Sequence, residues 1–144
     1  MSLPTRPAHP HQTPLADVAR ALGPAPDHPD GTAVPAADPD HHMAQSSAVD
    51  KSIVLGFKSR YLNAEIPNRF VADYVNRFPQ KLIGFAGIDP TERSAPREVR
   101  AAQSELRLRG ITIAPANQDF HPADTRAMEV YAVAEELGMP LLVH

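Results

Sequence analysis

Short apolar runs recur along the second half of the chain at a nearly constant interval. They begin at Ile53, Leu82, Ile111 and Leu141, at separations of 29, 29 and 30 residues. Each run is rich in strand-forming residues and shows no polar alternation, which is typical of strands buried on both faces. The interval fits one strand, one crossover helix and two loops. The pattern therefore predicts four parallel β-strands joined by helices, which is an α/β fold.

The segments between the runs carry apolar residues at helical spacing, with helix signals at their ends. The first predicted helix starts near Pro67, Ser94 can cap the second, Asp124 or Thr125 can cap the third, and Gly138 ends the third. The residues predicted to face inward are Phe70, Val71, Tyr74, Val75 and Phe78 in the first helix, Val99, Ala102 and Leu106 in the second, and Met128, Tyr131, Ala134 and Leu137 in the third.

Residues 1–48 differ sharply from the rest of the chain. They contain no Phe, Tyr, Trp or Ile, and nine of the sixteen prolines fall within residues 1–50. Such a Pro/Ala-rich stretch buries too little apolar surface to offset the entropy lost on ordering. We predict a mostly irregular or weakly ordered segment over 1–48, with a short helix over 14–22 and no structure over 31–40. The α/β part is predicted to cover 49–144.

Composition and motifs exclude several classes of function. The chain has no cysteine, so that a metal would have to be bound by histidine and carboxylate. The net charge is −3 without a basic block, and no phosphate-binding glycine loop follows a strand, so that nucleic acid and nucleotides are not expected as partners. No apolar run approaches the roughly 18 residues of a membrane span. A cytoplasmic location without membrane contact is therefore expected.

Candidate chemistry lies where the predicted strands end, because ligands of parallel α/β proteins bind at those ends. His144 ends the fourth run and could be a metal ligand or a general base, or a chain terminus without a role. Asp89 follows the second run and could be a catalytic acid or a turn residue. His121 follows the third run and could be a functional or a merely solvated histidine.

Two further groups of side chains carry candidate roles. Lys58 and Arg60 follow the first run and could bind an anionic substrate, although exposed cations in a loop are common. His9 and His11 have the His-x-His spacing that places both rings on one face of an extended segment, as a shared metal requires. The alternative for these two histidines is a polar tail without a ligand role.

Several segments in the second half of the chain resemble the amidohydrolase-related family, the branch of the amidohydrolase superfamily that includes aminocarboxymuconate-semialdehyde decarboxylase, resorcylate decarboxylases and lactone hydrolases. The resemblance extends over residues 43–144, in the order and at the spacing of the family. The matching segments are Ala48-Val49-Asp50-Lys51-Ser52-Ile53-Val54-Leu55-Gly56-Phe57, Pro67-Asn68-Arg69-Phe70-Val71-Ala72, Phe78-Pro79-Gln80-Lys81-Leu82-Ile83-Gly84-Phe85-Ala86-Gly87-Ile88-Asp89-Pro90, Leu108-Arg109-Gly110-Ile111-Thr112-Ile113 and Glu136-Leu137-Gly138-Met139-Pro140-Leu141-Leu142-Val143-His144.

The resemblance implies a distorted (β/α)₈ barrel with one divalent metal, usually zinc, with manganese as the alternative, at the carboxyl ends of its strands. The four strands would be barrel strands two to five, which is roughly half of a TIM-type barrel. His144 would match the histidine ligand that ends strand five, and His9-Pro10-His11 would supply the His-x-His of strand one. Thr112 and Ala114 stand where relatives often have Lys and His. Since strands six to eight have no counterpart, the chain is expected to be a truncated member.

The implied activity is hydrolysis of a cyclic amide or lactone, or non-oxidative decarboxylation of a small carboxylate substrate. A bound metal would activate water or polarise the substrate, while Asp89 or His121 would move protons. The alternative hypothesis is a non-catalytic α/β module that pairs through its open sheet edge with a second copy or another partner. Under the enzyme hypothesis, these 144 residues alone could be inactive.

Overall fold

The computed structural model describes residues 39–144 as an α/β fold of five helices and six strands. The elements are numbered in chain order within this range. The helices are α1 (Pro39–Gln45), α2 (Asn68–Arg77), α3 (Ala95–Ser104), α4 (Pro115–Gln118) and α5 (Thr125–Glu136), and the strands are β1 (Ser52–Leu55), β2 (Phe57–Ser59), β3 (Ala64–Ile66), β4 (Leu82–Gly87), β5 (Gly110–Ile113) and β6 (Leu141–Val143).

Four of the strands form one parallel sheet in the order β1-β4-β5-β6. Ser52 of β1 aligns with Leu82 of β4, and Ile111 of β5 aligns with Leu141 of β6. The four predicted strands are therefore neighbours that run in one direction. The fold class predicted from the sequence, (β/α) units amounting to roughly half of a TIM-type barrel, is confirmed for this part of the chain.

The core lies between this sheet and helices α2, α3 and α5. Gly84 lies directly under α2, because a Cβ placed there would be 3.2 Å from the Val71 side chain and 3.3 Å from that of Val75. The buried core residues are Val71, Ala72, Ala86, Ile88, Ala95, Val99, Ala102, Leu108, Ile111, Ile113, Val130, Val133, Ala134 and Met139. Burial of these side chains fixes the sheet, and with it the positions at which each strand ends.

The first apolar run does not continue as one strand to Phe57. β1 ends at Leu55, and Phe57 begins β2, which pairs antiparallel with β3 as a hairpin. The chain leaves the sheet at Gly56, where it crosses in contact with Gly87 of β4. This hairpin was not predicted, because the close approach of these two glycines leaves no periodic signal in the sequence.

The apolar stripes of two helices differ from those predicted. Phe70 and Met128 are both 53% exposed. Helix α5 packs instead through Ala127, Val130 and Val133, because these smaller side chains allow α5 to lie close to α3. None of the helices in residues 39–144 is long and apolar enough to cross a membrane.

The helix ends agree with the sequence in three cases and differ in one. Helix α2 begins directly after Pro67, as predicted. Asp124 caps α5, since its side chain accepts a hydrogen bond from the backbone N–H of Arg126. Gly138 follows the end of α5 with a φ of +64°, as expected for a terminating glycine. Ser94 makes no capping bond, because its hydroxyl donates instead to Glu98 at 2.6 Å.

Helix α1 falls within residues 1–48, for which the sequence predicted mostly irregular structure. Its first two residues, Pro39 and Asp40, lie in the stretch 31–40, so the prediction of no structure there is wrong at these two positions. It packs on α2, where His42 Nδ1 and the Tyr74 hydroxyl lie 2.7 Å apart and the two rings meet edge to face. Lys81 Nζ donates to the carbonyl of Ser46 just after the helix, at 2.7 Å. The helix predicted over 14–22 lies outside the described residues.

Candidate functional site

Buried polar side chains gather near the carboxyl ends of the parallel strands. Within residues 39–144, the buried polar or charged residues are Ser59, Asp89, Thr112 and Gln118, each at most 2% exposed. Burial of polar groups costs free energy unless they are hydrogen-bonded. A cluster of buried polar groups at one end of a sheet therefore indicates an organised region of the structure. We call this region, which comprises residues 56–62, 88–92, 112–121 and 144, the carboxyl-end rim.

Gln118 holds three segments of this rim together. Its Nε2 donates to the carbonyls of Lys58 and Ile88, at 2.6 and 2.7 Å, and its Oε1 accepts from the Ala114 N–H at 2.8 Å. The bonds use both amide hydrogens and link β2 to the segments that follow β4 and β5. The buried amide therefore fixes the relative positions of these three loops.

The β2–β3 hairpin is bonded to the rim at successive residues. The Ser59 hydroxyl donates to the Asn117 carbonyl at 2.6 Å and accepts from the Leu62 N–H at 3.0 Å. The Arg60 N–H donates to Asp89 Oδ2 at 2.7 Å. The hairpin is thus held against both neighbouring loops, and its turn, which contains Arg60, has a defined position.

Lys58 forms ion pairs with two glutamates, which bind the hairpin to the segment around the start of α3. Its ammonium lies 2.9 Å from Glu92 and 3.0 Å from Glu98, and only 14% of the side chain is exposed. Burial alone would lower the pKa of Lys58, but hydrogen bonds and charge attraction from Glu92 and Glu98 outweigh it and raise the pKa. Lys58 therefore stays charged and holds the hairpin to the start of α3.

Asp89 lies 1% exposed in the loop after β4, and both of its oxygens accept hydrogen bonds. Oδ2 accepts from the Arg60 N–H, and Oδ1 accepts from the Thr91 N–H at 2.9 Å and the Thr91 hydroxyl at 2.7 Å. This is the pattern of an Asx turn, extended by a bond to the hairpin. The position at the rim agrees with the prediction, while the contacts tie the carboxylate to the protein backbone.

The two candidate histidines of the rim are both exposed. The His121 Nδ1 accepts from the Ala123 N–H at 3.1 Å, within the loop that leads to α5. His144 follows β6, and its backbone N–H donates to the Ile113 carbonyl at 3.1 Å, which continues the sheet by one bond. The structure thus places both at the predicted end of the sheet.

A metal site is not complete within the part of the chain that the structure describes. No three His, Cys, Asp or Glu side chains of residues 39–144 are grouped so that they could hold an ion. His9 and His11, the other candidate ligands, lie outside the described residues. The described residues alone therefore do not fit a metal centre, and His144 would need ligands from elsewhere.

Thr112 is the buried polar residue of the rim whose hydroxyl has no hydrogen-bond partner within residues 39–144. We expect Thr112→Val to leave the free energy of unfolding unchanged or to raise it by up to about 1 kcal/mol, because it replaces an unsatisfied hydroxyl by a methyl group of the same shape. Urea denaturation tests this. A loss of more than about 1 kcal/mol would contradict it and show that the hydroxyl is bonded.

Comparison with protein families decides the assignment of the chain. A family model described as amidohydrolase matches residues 8–144. The chain belongs to the amidohydrolase family. The match includes both His9 and His144, as well as all of the described sheet. A search of curated proteins gave no significant match.

Solved structures agree with this family on the level of the fold. An amidohydrolase II structure superimposes with a TM-score of 0.65 at 20% identity, over 91% of this chain and 47% of that one. A 5-carboxyvanillate decarboxylase from Novosphingobium aromaticivorans, with manganese and 3-methoxy-4-hydroxy-5-nitrobenzoic acid bound, gives 0.61 at 21% identity, over 72% and 34%. The present chain thus spans less than half the length of either solved structure.

The residues that organise the rim were not predicted from the sequence. Neither Gln118 nor Ser59 was among the candidate residues predicted from the sequence. Both are buried and bonded across the rim. Their one sequence signal is a polar residue within three to five positions of the end of an apolar run, a signal too common to single them out.

Proposed function

We propose that this amidohydrolase chain contributes part of the active site of a metal-dependent enzyme that hydrolyses a cyclic amide or lactone, or decarboxylates a small carboxylate without oxidation. One observation carries the proposal: the buried polar side chains of the described residues all lie near the carboxyl ends of the parallel strands. In barrels of this type, that end carries the catalytic groups.

The metal ligands in this proposal are His144 together with His9 and His11. A divalent ion, zinc or manganese, would lower the pKa of its bound water and polarise a substrate oxygen. The manganese in the structure of the N. aromaticivorans decarboxylase supports a divalent ion in general. His144 supports it locally, because it ends a strand at the rim and is exposed, so that its ring is accessible to a ligand.

The groups that could move protons are His121 and Asp89. His121 is exposed, and its Nδ1 accepts a bond from the backbone, which leaves Nε2 available to a substrate. The carboxylate of Asp89 accepts three bonds from Arg60 and Thr91, which favours a role in positioning the hairpin. His121 is therefore the better candidate of the two.

Metal content tests the proposal. We expect the purified chain to bind close to one equivalent of zinc or manganese, and His144→Ala to weaken binding by about 100-fold or more, since even residues behind a metal ligand cost 10 to 100-fold. His121→Ala is the matched control and should leave metal binding unchanged. Less than about 0.1 equivalent in the wild-type chain, or equal binding by His144→Ala, would reject the metal site.

Self-association through the sheet edges is the second candidate function. β1 and β6 are the edge strands of the described sheet, and they carry exposed apolar side chains at Ile53, Leu141 and Val143, which are 51%, 36% and 54% exposed. Unpaired strand edges with apolar side chains favour pairing with another chain. Sedimentation as a single monomeric species at high concentration would argue against this candidate.

A further inference from the structure

A cleft opens beside the turn of the β2–β3 hairpin, within the carboxyl-end rim. Its volume is about 390 Å³, and it is shallow and widely open to solvent. The residues that line it are Arg60, Tyr61, Thr91, Gln118, Asp119 and Arg126. The cleft thus combines two cations, one carboxylate and one aromatic ring.

Among the described residues 39–144, one cation that lines this cleft has no partner. Arg126 donates to Asp124 at 2.8 Å, and this bond lowers the pKa of Asp124 to about 2, so the pair is satisfied. Lys58, the other cation of the hairpin, is bound by two glutamates. Within residues 39–144, the Arg60 guanidinium makes no hydrogen bond or ion pair. Arg60 is therefore the charged group available to a ligand.

The backbone around Arg60 is held in place before any ligand arrives. Its N–H is bonded to the buried Asp89, the hydroxyl of the preceding Ser59 is bonded to the Asn117 carbonyl, and the carbonyl of Lys58, two residues before Arg60, is bonded to Gln118. An anchor of this kind lowers the entropic cost of ligand binding, because the loop needs no ordering. Tyr61 is 66% exposed beside it, so that its ring is open to contact.

We propose that Arg60 and Tyr61 form a subsite for a small carboxylate that carries a flat apolar ring. The guanidinium binds the carboxylate through two parallel hydrogen bonds, and the tyrosine ring covers the apolar part. The subsite rests on the proposed function for its role, since it would orient a substrate at the rim. The binding step itself requires no metal.

Asp119 gives this subsite a second, independent test. Its carboxylate lines the same cleft and is exposed, so it repels an anion that Arg60 attracts. Removal of the negative charge should therefore strengthen carboxylate binding, whereas removal of the Arg60 charge should weaken it. A site that recognises only the apolar ring would respond to neither substitution.

The experiment titrates the metal-free chain, kept in chelator, with benzoate as the probe and benzamide as its neutral analogue. Protein amide signals in NMR report the binding. We expect saturable benzoate binding, a dissociation constant raised about tenfold or more in Arg60→Gln and less in Arg60→Lys, and one lowered about threefold in Asp119→Asn. Benzamide should bind at least about tenfold more weakly than benzoate.

The control variant is Arg109→Gln, which removes the same charge from an exposed arginine at the opposite end of the sheet. It should bind benzoate as the wild type does, and thermal unfolding should show that all variants fold. Absence of saturable binding, equal binding by Arg60→Gln, or an equal loss in Arg109→Gln would overturn the subsite. Because the chelated chain is used, a failed metal test leaves this result unaffected.

Discussion

Gly87→Ala should lower the free energy of unfolding by about 3 kcal/mol, the upper end of the usual cost of overpacking. A Cβ at Gly87 would lie 2.6 Å from Phe57 Cα and 2.7 Å from the Gly56 carbonyl carbon. These are backbone atoms, which no side-chain rotation can move away. The hairpin would have to shift off β4, and the bonds of Asn68 to the Gly87 backbone, at 2.8 and 3.1 Å, would be strained with it.

Urea denaturation of the variant measures this loss, and Gly138→Ala is its control. No atom lies within 4 Å of a Cβ added at Gly138, so alanine there would cause no clash. Because the φ of Gly138 is +64°, alanine should cost only about 1 kcal/mol of backbone strain. In Gly56→Ala, the added Cβ would enter the same contact from the other side and would lie 2.5 Å from the Gly87 nitrogen. The two glycine substitutions should therefore be less than additive, and additivity within about 0.5 kcal/mol would contradict a shared contact.

The sheet could be predicted from the sequence because its signal is local. Each strand is a short run of apolar residues, and the helices between have 3.6-residue periodicity, so that Ile53, Leu82, Ile111 and Leu141 were placed correctly. The hairpin from Phe57 to Ile66 could not be predicted in this way. Its position depends on a contact between Gly56 and Gly87, which are 31 residues apart and carry no side chain.

For the rim too, the sequence predicts which residues lie at this end of the sheet but not which side chains contact one another. Parallel strands end together, so the sequence could place Asp89, His121 and His144 at one end of the sheet. It could not tell Lys58 from Arg60, since both are cations that follow the same apolar run. Only the fold brings two glutamates to Lys58 and leaves the guanidinium of Arg60 without a partner in the described residues.

Gln118→Met should lower the free energy of unfolding by about 3 kcal/mol, because it keeps the length of the side chain but removes a buried amide. The Ala114 N–H and the carbonyls of Lys58 and Ile88 each lose the bond that Gln118 makes, and an unsatisfied buried group costs about 1 to 3 kcal/mol. The loss is measured by urea denaturation. Gln80→Met, at an exposed glutamine, should change stability by less than about 0.5 kcal/mol.

Gln118→Glu separates the bonds of the amide from its packing, since the two side chains have nearly the same shape. At neutral pH the introduced carboxylate would face the carbonyl oxygens of Lys58 and Ile88, which lie 2.6 and 2.7 Å from the amide nitrogen it replaces. Burial and this repulsion raise its folded-state pKa above the ordinary value of about 4.3. Stability is therefore lost as the pH rises through that raised pKa and returns in part at lower pH, where the protonated acid donates one bond. The deficit relative to the wild type should shrink between pH 7 and about pH 4. A deficit independent of pH would show that the Gln118 amide does not hold the three loops of the rim through its hydrogen bonds.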